Sequence, residues 1–267
     1  MSDAHRTPER ERAVAAYYDR LAPVYGEGAY FRARRAAVLA AIAAEIEGAR
    51  AVLDLGCGNG TYLAEFRVRT AGARVIGADL SPEMLQAART RLGAGVGLTR
   101  SDATALPFAA GTFDLVLMSH VLQLVADVDR CVAEVGRGLA PGGCLVATVG
   151  TGGWRQMVGQ LLGPDDAREL AALFGSVRLQ ARPDDEPRVA AACDAAGLQP
   201  TWRQARFSVD WPALDEWVRI RWLSVVDDVL RERAERWLEQ VRERAAAITL
   251  PVTESLLVAF KPSGRAR

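Results

Sequence analysis

A glycine-rich turn near residue 56 limits the possible folds of this chain more than any other feature. Residues 52–60 read VLDLGCGNG, an apolar run followed by a G-x-G-x-G turn, and a helical pattern continues over 61–70. Glycines at such a turn let a ligand approach backbone N–H groups closely, because no side chain stands in the way. The segment therefore predicts a buried strand, a ligand-binding turn and a helix, which together begin a parallel α/β sheet.

The charge beside this turn separates two kinds of nucleotide cofactor. The dinucleotide fingerprint is G-x-G-x-x-G, whereas here the glycines follow G-x-G-x-G and Asp54 lies two residues before Gly56. A carboxylate at that place repels a pyrophosphate but suits a ligand that carries an ammonium or sulfonium charge. The sign of the charge therefore favours S-adenosylmethionine over NAD.

The chain from residue 30 to 150 alternates strand and helix patterns with short turns, which is typical of a parallel α/β sheet. Ser81 as N-cap and Pro82 in the first turn begin one of its helices. The Pro-Gly-Gly at 141–143 predicts a tight turn before the last strand of this segment. We predict a helix over 31–46 and strands over 51–55, 74–79, 96–100, 113–118 and 144–149, with helices behind the first, second and fourth strands.

The pattern changes beyond residue 150. Helices are predicted around 165–174 and over 186–196, and two further strands over 201–209 and 253–260. Between these late strands, residues 211–248 are strongly helical and rich in charge. We expect this insertion and the irregular segment 151–182 to lie above the strand ends as a cap.

Polar side chains follow three of the predicted strands. Asp79 ends the second strand, where a carboxylate can accept hydrogen bonds from both ribose hydroxyls, a feature that NAD enzymes share. Asp102 follows the third strand and is placed to receive the adenine amino group, while Ser119 and His120 follow the fourth. Since the carboxyl ends of parallel strands meet at one edge, these residues predict a single site there.

Together these segments resemble the class I S-adenosylmethionine-dependent methyltransferases of the small-molecule type, the methyltransferase type 11-like family. The resemblance implies an α/β fold with a Rossmann-like, mostly parallel seven-stranded sheet, an antiparallel last strand, helices on both faces and a helical cap. It divides the chain into an N-terminal lid helix (1–30), a cofactor-binding core (31–150) and a completion of the sheet with cap insertions (151–267, at about 151–182 and 211–250). The matching segments are DLGCGNG, GADLSPEML, RSDATALPF, FDLVLMSHVL and LAPGGCLV, over about residues 50–150, and YYDRLAPVYG near the N-terminus, which resembles the family's lid helix.

The resemblance also implies a set of cofactor-binding residues. The methionyl part would be held by Asp54, Gly56, Cys57, Gly58 and Asn59, with Tyr17 and Tyr25 of the lid closing over it. The ribose would bind Asp79, and Leu80, Met84, Asp102 and Ala103 would surround the adenine. Ser119 completes the set. A DPPY-type motif, used on amide and nucleobase amino groups, is absent, since the corresponding stretch reads MSHV.

His120 is the candidate catalytic residue. It follows the fourth strand, where the sulfonium should lie, and the only other histidine is His5. An imidazole can accept a proton near neutral pH, so His120 can act as a general base for the acceptor. The alternative is that His120 only hydrogen-bonds the cofactor or shapes its pocket, because relatives carry varied residues at this position, including Glu.

The function predicted from these residues is transfer of a methyl group from S-adenosylmethionine to an O, N or C atom of a small, partly apolar metabolite. One alternative is an S-adenosylmethionine-binding protein that does not transfer methyl groups, either a cyclase or a regulatory protein. An RNA methyltransferase is disfavoured because 33 basic and 33 acidic residues balance and Lys261 is the only lysine. An NAD-linked oxidoreductase is disfavoured by Asp54 and the glycine spacing.

The cysteine, histidine and apolar content of the sequence predicts which metals, disulfides and cellular location to expect. Four cysteines without a CxxC pair and two separated histidines predict neither a metal site nor a disulfide framework. A charged N-terminus and the lack of an 18-residue apolar stretch predict a cytoplasmic protein without a membrane partner. The dominance of arginine and alanine indicates a GC-rich, bacterial genome. The sequence leaves the oligomeric state open.

Overall fold

The computed structural model describes residues 8–149, 163–174, 185–223, 226–245, 247 and 249–264. Its strands are β1 (Ala51–Leu55), β2 (Arg74–Asp79), β3 (Gly97–Arg100), β4 (Phe113–Met118), β5 (Leu139–Val149), β6 (Gln199–Asp210) and β7 (Thr249–Phe260). The helices of the first half are α1 (Pro8–Leu21), α2 (Ala29–Ala41), α3 (Ala43–Glu47), α4 (Thr61–Arg69), α5 (Pro82–Leu92) and α6 (Val128–Gly138). Those of the second half are α7 (Pro164–Phe174), α8 (Glu186–Ala195), α9 (Trp211–Val218) and α10 (Asp228–Ala245).

The described strands form one seven-stranded sheet in the order β3-β2-β1-β4-β5-β7-β6. The strands from β3 to β5 are parallel, and β7 is antiparallel to both of its neighbours. Leu53 and Val116 point to a core shared with α6 and α8, whereas Val52 and Leu115 point to a core shared with α2 to α5. Helices therefore cover both faces, and the predicted fold class is confirmed.

The central strands are apolar throughout because both of their faces are buried. Leu115, Val116, Leu117 and Met118 of β4 have no measurable exposure. The turn of the chain from β1 into α4 and from β4 toward α6 places loops at the carboxyl edge on either side of the sheet. The strand order reverses between β1 and β4, which is where open α/β sheets bind ligands.

Several boundaries differ from the sequence-based prediction. The predicted helix over 31–46 is broken at Ile42, which leaves helical geometry at φ −121° and ψ 23° and separates α2 from α3. The Pro-Gly-Gly segment at 141–143 lies inside β5 rather than before it, and the pairing with β4 shifts register there. A Cβ atom at Gly143 would come within 2.9 Å of two carbonyl oxygens of β4, so only glycine fits this irregularity.

The helices α9 and α10, with a π-helical turn over Arg219–Leu223, form an insertion between β6 and β7. Its core contains Trp211, Trp217 and Trp237 and is shared with Tyr30 and Phe31 of α2. We call α9, the π-helical turn and α10 the cap. Most of the segment 151–182, which the sequence also assigns to a cap, lies outside the described residues.

Two polar contacts bind α7 to the cap helix α10. Asp166 accepts a hydrogen bond from the indole N–H of Trp237 at 3.1 Å and a two-pronged contact from the Arg244 guanidinium at 2.9 and 3.0 Å. The Glu169 carboxylate accepts two hydrogen bonds from the Arg233 guanidinium, from Nε and from Nη2, both at 2.7 Å. Within the described ranges, no helix has the length and apolar character that crossing a membrane requires.

Candidate functional site

A cavity lies at the carboxyl edge of the sheet, between the ends of β1, β2 and β4 and the helix α1. Ten of the residues predicted for the site line it: Tyr25, Gly56, Gly58, Asp79, Leu80, Met84, Asp102, Ala103, Ser119 and His120. Further lining residues that the sequence did not single out include Glu11, Val14, Tyr18, Val121, Leu124 and Val125. The fold thus brings together predicted site residues that lie up to 95 positions apart in the sequence, from Tyr25 to His120.

Four predicted cofactor residues lie outside this lining. Tyr17 is buried with Leu21 beneath Met84, and its neighbour Tyr18 faces the cavity instead. Cys57 is also buried, and burial raises the pKa of its thiol well above the ordinary value. Asn59 donates a short hydrogen bond to the carbonyl of Tyr25, which ties the segment after α1 to the glycine turn. Asp54, the fourth, is buried beside the turn.

The glycine turn provides space rather than free backbone donors. The N–H groups of Gly56 and Cys57 both donate to the carbonyl of Ala78, at 2.7 and 3.1 Å, and the Gly58 N–H donates to Asp79 Oδ2 at 2.8 Å. Gly56 has a φ of +74°, and a Cβ atom there would lie 2.3 Å from Val121 Cγ2. Gly56 is therefore needed for the tight approach of the turn to the loop after β4.

Asp79 joins the glycine turn to the beginning of α5. Its Oδ1 accepts from the Ser81 N–H at 2.9 Å, while its Oδ2 accepts from Gly58. Burial raises the pKa of Asp79, and the N–H groups of Ser81 and Gly58 only partly oppose this rise. Each carboxylate oxygen has a second acceptor position, so Asp79 can still accept a hydrogen bond from a ligand hydroxyl in the cavity.

Asp54 is the least satisfied carboxyl group of the site. Its residue is 1% exposed, and its Oδ2 has no hydrogen-bond partner among the described residues. Burial, and then the charge of Asp79, raise the pKa of Asp54 to about 8. A buried, unpartnered acceptor beside a ligand cavity fits a cofactor that brings a positive charge and a hydrogen-bond donor.

On the adenine side of the predicted site, Asp102 closes its own turn. Its Oδ1 accepts from the Thr104 N–H and its Oδ2 from the Thr104 hydroxyl, both at 2.8 Å. Ala103 and Leu80 line the cavity next to it, and the Met84 side chain forms its floor above the buried Tyr17. This side is mostly apolar with one fixed carboxylate, which suits a flat heterocycle with an amino group.

His120 has a strained backbone that its neighbours hold in place. Its φ of +59° is the only positive φ of a non-glycine residue in the described part of the chain, and such residues cost on the order of 1–3 kcal/mol. Its N–H donates to Thr148 Oγ1 at 2.7 Å, and its carbonyl accepts from Gln123 Nε2 at 2.8 Å. His120 is one of the residues that line the cavity, and its Nε2 lies 3.1 Å from Glu254 Oε1, outside the lining.

Glu254 and the nearby Arg34 were missed by sequence reasoning. Both are 8% exposed. The sequence does mark both residues, because each one interrupts an apolar pattern. Glu254 falls on the apolar side of the alternating strand LPVTESL, and Arg34 falls on the buried face of α2. Ser119, which was predicted, donates to the Tyr62 hydroxyl at 3.3 Å next to this pair.

The α1 helix is fixed over the cavity through Asp19. Its Oδ1 accepts a short hydrogen bond from the Ser81 hydroxyl and a longer one, 3.4 Å, from the Glu83 N–H. Ser81 Oγ in turn caps α5 by accepting from the Met84 N–H at 3.0 Å. The same helix contributes Val14 and Tyr18 to the lining of the cavity.

The sheet order and the cavity at its switch point are typical of Rossmann-like α/β proteins, which bind nucleotide-type ligands at this place. Residues 53–147 match the model of a methyltransferase domain. This part of the chain is therefore similar to a methyltransferase domain, and it includes the glycine turn, Asp79, Asp102 and His120.

Curated relatives resemble the chain in sequence over part of its length, and a solved structure shares its fold. The chain is 38% identical over 136 residues to the demethylmenaquinone methyltransferase of Thermus thermophilus, covering 50% of this chain and 60% of that protein. It is 33% identical over 129 residues to a malonyl-acyl-carrier-protein O-methyltransferase of Legionella pneumophila, covering 48% and 41%. The cyclase SpnF has a similar structure, with a TM-score of 0.62, 20% identity and coverage of 95% and 97%. The chain thus matches less than two thirds of the length of the two methyltransferases named here.

Proposed function

We propose that the chain transfers a methyl group from S-adenosylmethionine to an O, N or C atom of a small, partly apolar metabolite. The observation that carries this proposal is the coincidence of the methyltransferase domain with the cavity at the β1–β4 switch point. The unpartnered, buried Asp54 beside that cavity supports a cationic cofactor. The relatives named for quinone and malonyl-thioester methylation support a small-molecule acceptor.

In this proposal different predicted residues bind different parts of the cofactor. Asp79 accepts from the ribose hydroxyls, while Leu80, Met84, Asp102 and Ala103 enclose the adenine. Asp54 faces the positive end from beneath the turn of Gly56, Cys57, Gly58 and Asn59. Ser119 lies beside the reacting end of the cofactor. The cavity is covered by Tyr18 and Tyr25, and the buried Tyr17 holds α1 in place.

S-adenosylmethionine supplies an activated methyl group on a good leaving group, so the protein need mainly align the acceptor and exclude water. Val14, Tyr18 and Tyr25 cover the cavity and perform the second task. His120 is the proposed general base that accepts the proton of the acceptor. Val121, Leu124 and Val125 give its side of the cavity an apolar wall that suits a partly apolar acceptor.

The setting of the protein belongs to the same proposal. A net charge of zero and a single lysine support a metabolite rather than a nucleic acid as partner. Relatives from bacteria and the GC-rich composition support a bacterial source. We propose a cytoplasmic enzyme of small-molecule metabolism whose cap selects the acceptor.

Formation of S-adenosylhomocysteine from labelled S-adenosylmethionine, measured with a panel of quinones, phenols and acyl thioesters, tests the proposal. His120→Ala should lower turnover at least 100-fold, since a positioned general base contributes about 10²–10⁴-fold, with the cofactor dissociation constant nearly unchanged. A loss below tenfold would leave His120 as a pocket residue. Cofactor binding without product from any acceptor would favour the cyclase or regulatory alternative, and absence of cofactor binding would overturn the proposal.

A further inference from the structure

Two buried side chains of opposite charge, Arg34 and Glu254, interrupt apolar faces of the core. On β7 the buried face is formed by Leu250, Val252, Glu254 and Leu256. On α2 the buried face includes Phe31, Arg34 and Val38. Burying opposite charges rarely increases stability over apolar packing, so this pair of residues needs an explanation other than the fold.

The surroundings keep both groups of the pair charged. Burial alone would raise the pKa of Glu254, but the charges of His120 and Arg34 outweigh it and the pKa is lowered. Burial alone would lower the pKa of Arg34, but Glu254 and the neighbouring tyrosines raise it. The groups that face the pair are Tyr30 on α2, Tyr62 on α4, Tyr25 before α2 and His120 after β4.

The hydrogen bonds of Glu254 are incomplete except toward His120. Its Oε1 lies 3.1 Å from His120 Nε2, while Oε2 and Arg34 Nε have no hydrogen-bond partner among the described residues. The Arg34 guanidinium also lies over the Phe31 ring, 5.3 Å from the ring centroid. Arg34 therefore acts on Glu254 through its charge from a fixed position, whereas His120 is in direct contact.

We propose that Glu254 is a positioning residue that fixes the tautomer and orientation of His120 and stabilises its protonated form. This inference rests on the proposed function, in which His120 is the base. A carboxylate can only accept hydrogen bonds, so Nε2 carries the ring hydrogen and the lone pair is on Nδ1. The acceptor's proton passes to Nδ1, and the electrons of the broken bond stay on the acceptor atom.

The backbone geometry supports this role. The left-handed conformation of His120, bound by Thr148 and Gln123, sets the direction of the Cα–Cβ bond, and Glu254 then leaves one rotation of the ring. Imidazole and carboxylate reach each other from elements separated by 134 positions. The strained backbone of His120 and the buried Glu254 carboxylate together determine the orientation of one imidazole ring.

Nitrogen NMR of the histidine ring tests the inference without any methyl acceptor. Because His5 and His120 are the only histidines, ¹⁵N-histidine labelling of a His5→Gln variant leaves one ring to observe. We expect the Nε2–H tautomer in the otherwise unchanged protein and its loss or mixing in Glu254→Gln. The Nδ1–H tautomer in the unchanged protein would overturn the inference, whether or not the variant folds.

A matched control is available in Glu45. Its carboxylate receives two hydrogen bonds from Arg203, at 2.9 and 2.6 Å, away from the cavity lining. Glu45→Gln removes the same charge from another arginine-paired site, and we expect it to leave the His120 spectrum unchanged. An equal change in both variants would assign the effect to general loosening and overturn the role of Glu254.

Kinetics supply the second measurement. Glu254→Gln should lower kcat at least tenfold, and by no more than the loss of the base itself, roughly 10²–10⁴-fold. The dissociation constant of S-adenosylhomocysteine should stay within twofold. The acid limb of the pH dependence of kcat should move to lower pH, because an adjacent carboxylate stabilises the protonated ring. Glu254→Asp should restore part of the activity.

The two failures can be told apart. If Glu254→Gln lowers kcat as much in the His120→Ala background as in the unchanged protein, Glu254 does not act through His120 and the inference fails. If the ring shows the expected tautomer but no acceptor yields S-adenosylhomocysteine, the proposed function fails instead.

Discussion

At the scale of single residues, three carboxyl groups near the cavity are satisfied to different degrees. Asp79 accepts two backbone hydrogen bonds, Glu254 contacts one imidazole, and Asp54 has an oxygen without a partner among the described residues. An unsatisfied buried polar group costs about 1–3 kcal/mol. Glu254 Oε2 also lacks a partner among the described residues, and at Asp54 a cationic ligand would relieve this cost.

The first prediction concerns the pH dependence of cofactor affinity. Since the pKa of Asp54 is raised to about 8, the cofactor-free protein carries a proton there at neutral pH. Binding of an ammonium or sulfonium group favours the ionised form and releases that proton. Affinity for S-adenosylhomocysteine should therefore fall as the pH decreases from 8 to 6, by no more than about tenfold per pH unit for one proton. Calorimetry in buffers of different ionisation enthalpy measures the release.

The sign of the stability effect follows from the same pKa. Between the ordinary pKa of an aspartate and about 8, the unfolded chain binds fewer protons at Asp54 than the folded one, so this group's contribution to stability decreases as pH rises. Asp54→Asn should remove both dependences. Asp114→Asn is the control, because Asp114 accepts from the N–H groups of Arg50 and Ala51 at the opposite end of the sheet. Proton release that persists in Asp54→Asn would contradict the prediction.

The second prediction concerns Asp79. A hydrogen bond to a charged group contributes about 1.5–3 kcal/mol, so Asp79→Ala should weaken S-adenosylhomocysteine binding roughly 10- to 150-fold. Since Asp79 also holds Gly58 and Ser81, the melting temperature should fall as well. Titration calorimetry and thermal unfolding separate the two effects. Unchanged affinity would mean that the ribose does not bind at the end of β2.

At the scale of helices and strands, the sequence predicted those features that one local signal determines. Ser81 and Pro82 begin α5 as expected, and the apolar run at 113–118 is β4. The choice between Tyr17 and Tyr18 as the cavity residue depends on the rotation of α1, which no local signal sets. The contact of Glu254 with His120 depends on β7 lying next to β5, and the sequence separates these strands by most of the second half of the chain.

The third prediction concerns the attachment of α1. Asp19 is the side chain that binds α1 to the start of α5, and loss of a charged hydrogen bond of about 1.5–3 kcal/mol should loosen the helix locally. Asp19→Ala should therefore lower hydrogen-exchange protection of residues 8–21 at least about tenfold and weaken cofactor binding.

Exchange in β1 and β4 serves as the internal reference and should stay unchanged. Glu83→Gln is a suitable control, because only the backbone N–H of Glu83 takes part in the contact. Equal loss of protection in α1 and in the central strands would show that Asp19 supports the whole fold rather than the cover.

At the scale of the whole molecule, the cap packs into an apolar core that it shares with α2. Trp217 is 7% exposed and packs on Tyr30 with ring centroids 5.0 Å apart. The expectation that Trp217 and Trp222 line the acceptor pocket stays a prediction. For Trp217 the contact with Tyr30 supports packing, while the side chain of Trp222 lies outside the part of the chain that the structure describes.

The fourth prediction follows from this packing. Trp217→Ala should destabilise the protein by about 3–5 kcal/mol, as is typical for loss of a buried tryptophan, while the affinity for S-adenosylhomocysteine stays close to that of the unchanged protein. Chemical unfolding and titration calorimetry measure the two quantities. A large increase in the acceptor KM with unchanged stability would instead place Trp217 in the acceptor pocket.

The cap leaves and rejoins the sheet through neighbouring residues, since Asp210 and Thr249 are paired across β6 and β7. Paired antiparallel residues lie only about 4.5–5.5 Å apart, a gap that a hairpin turn can close. The insertion is therefore a cassette with adjacent ends, and its length is independent of the sheet that carries it. If the cap selects the acceptor as proposed, grafting a different cassette between Asp210 and Thr249 would change which metabolite is accepted while the strands from β3 to β5 keep their register.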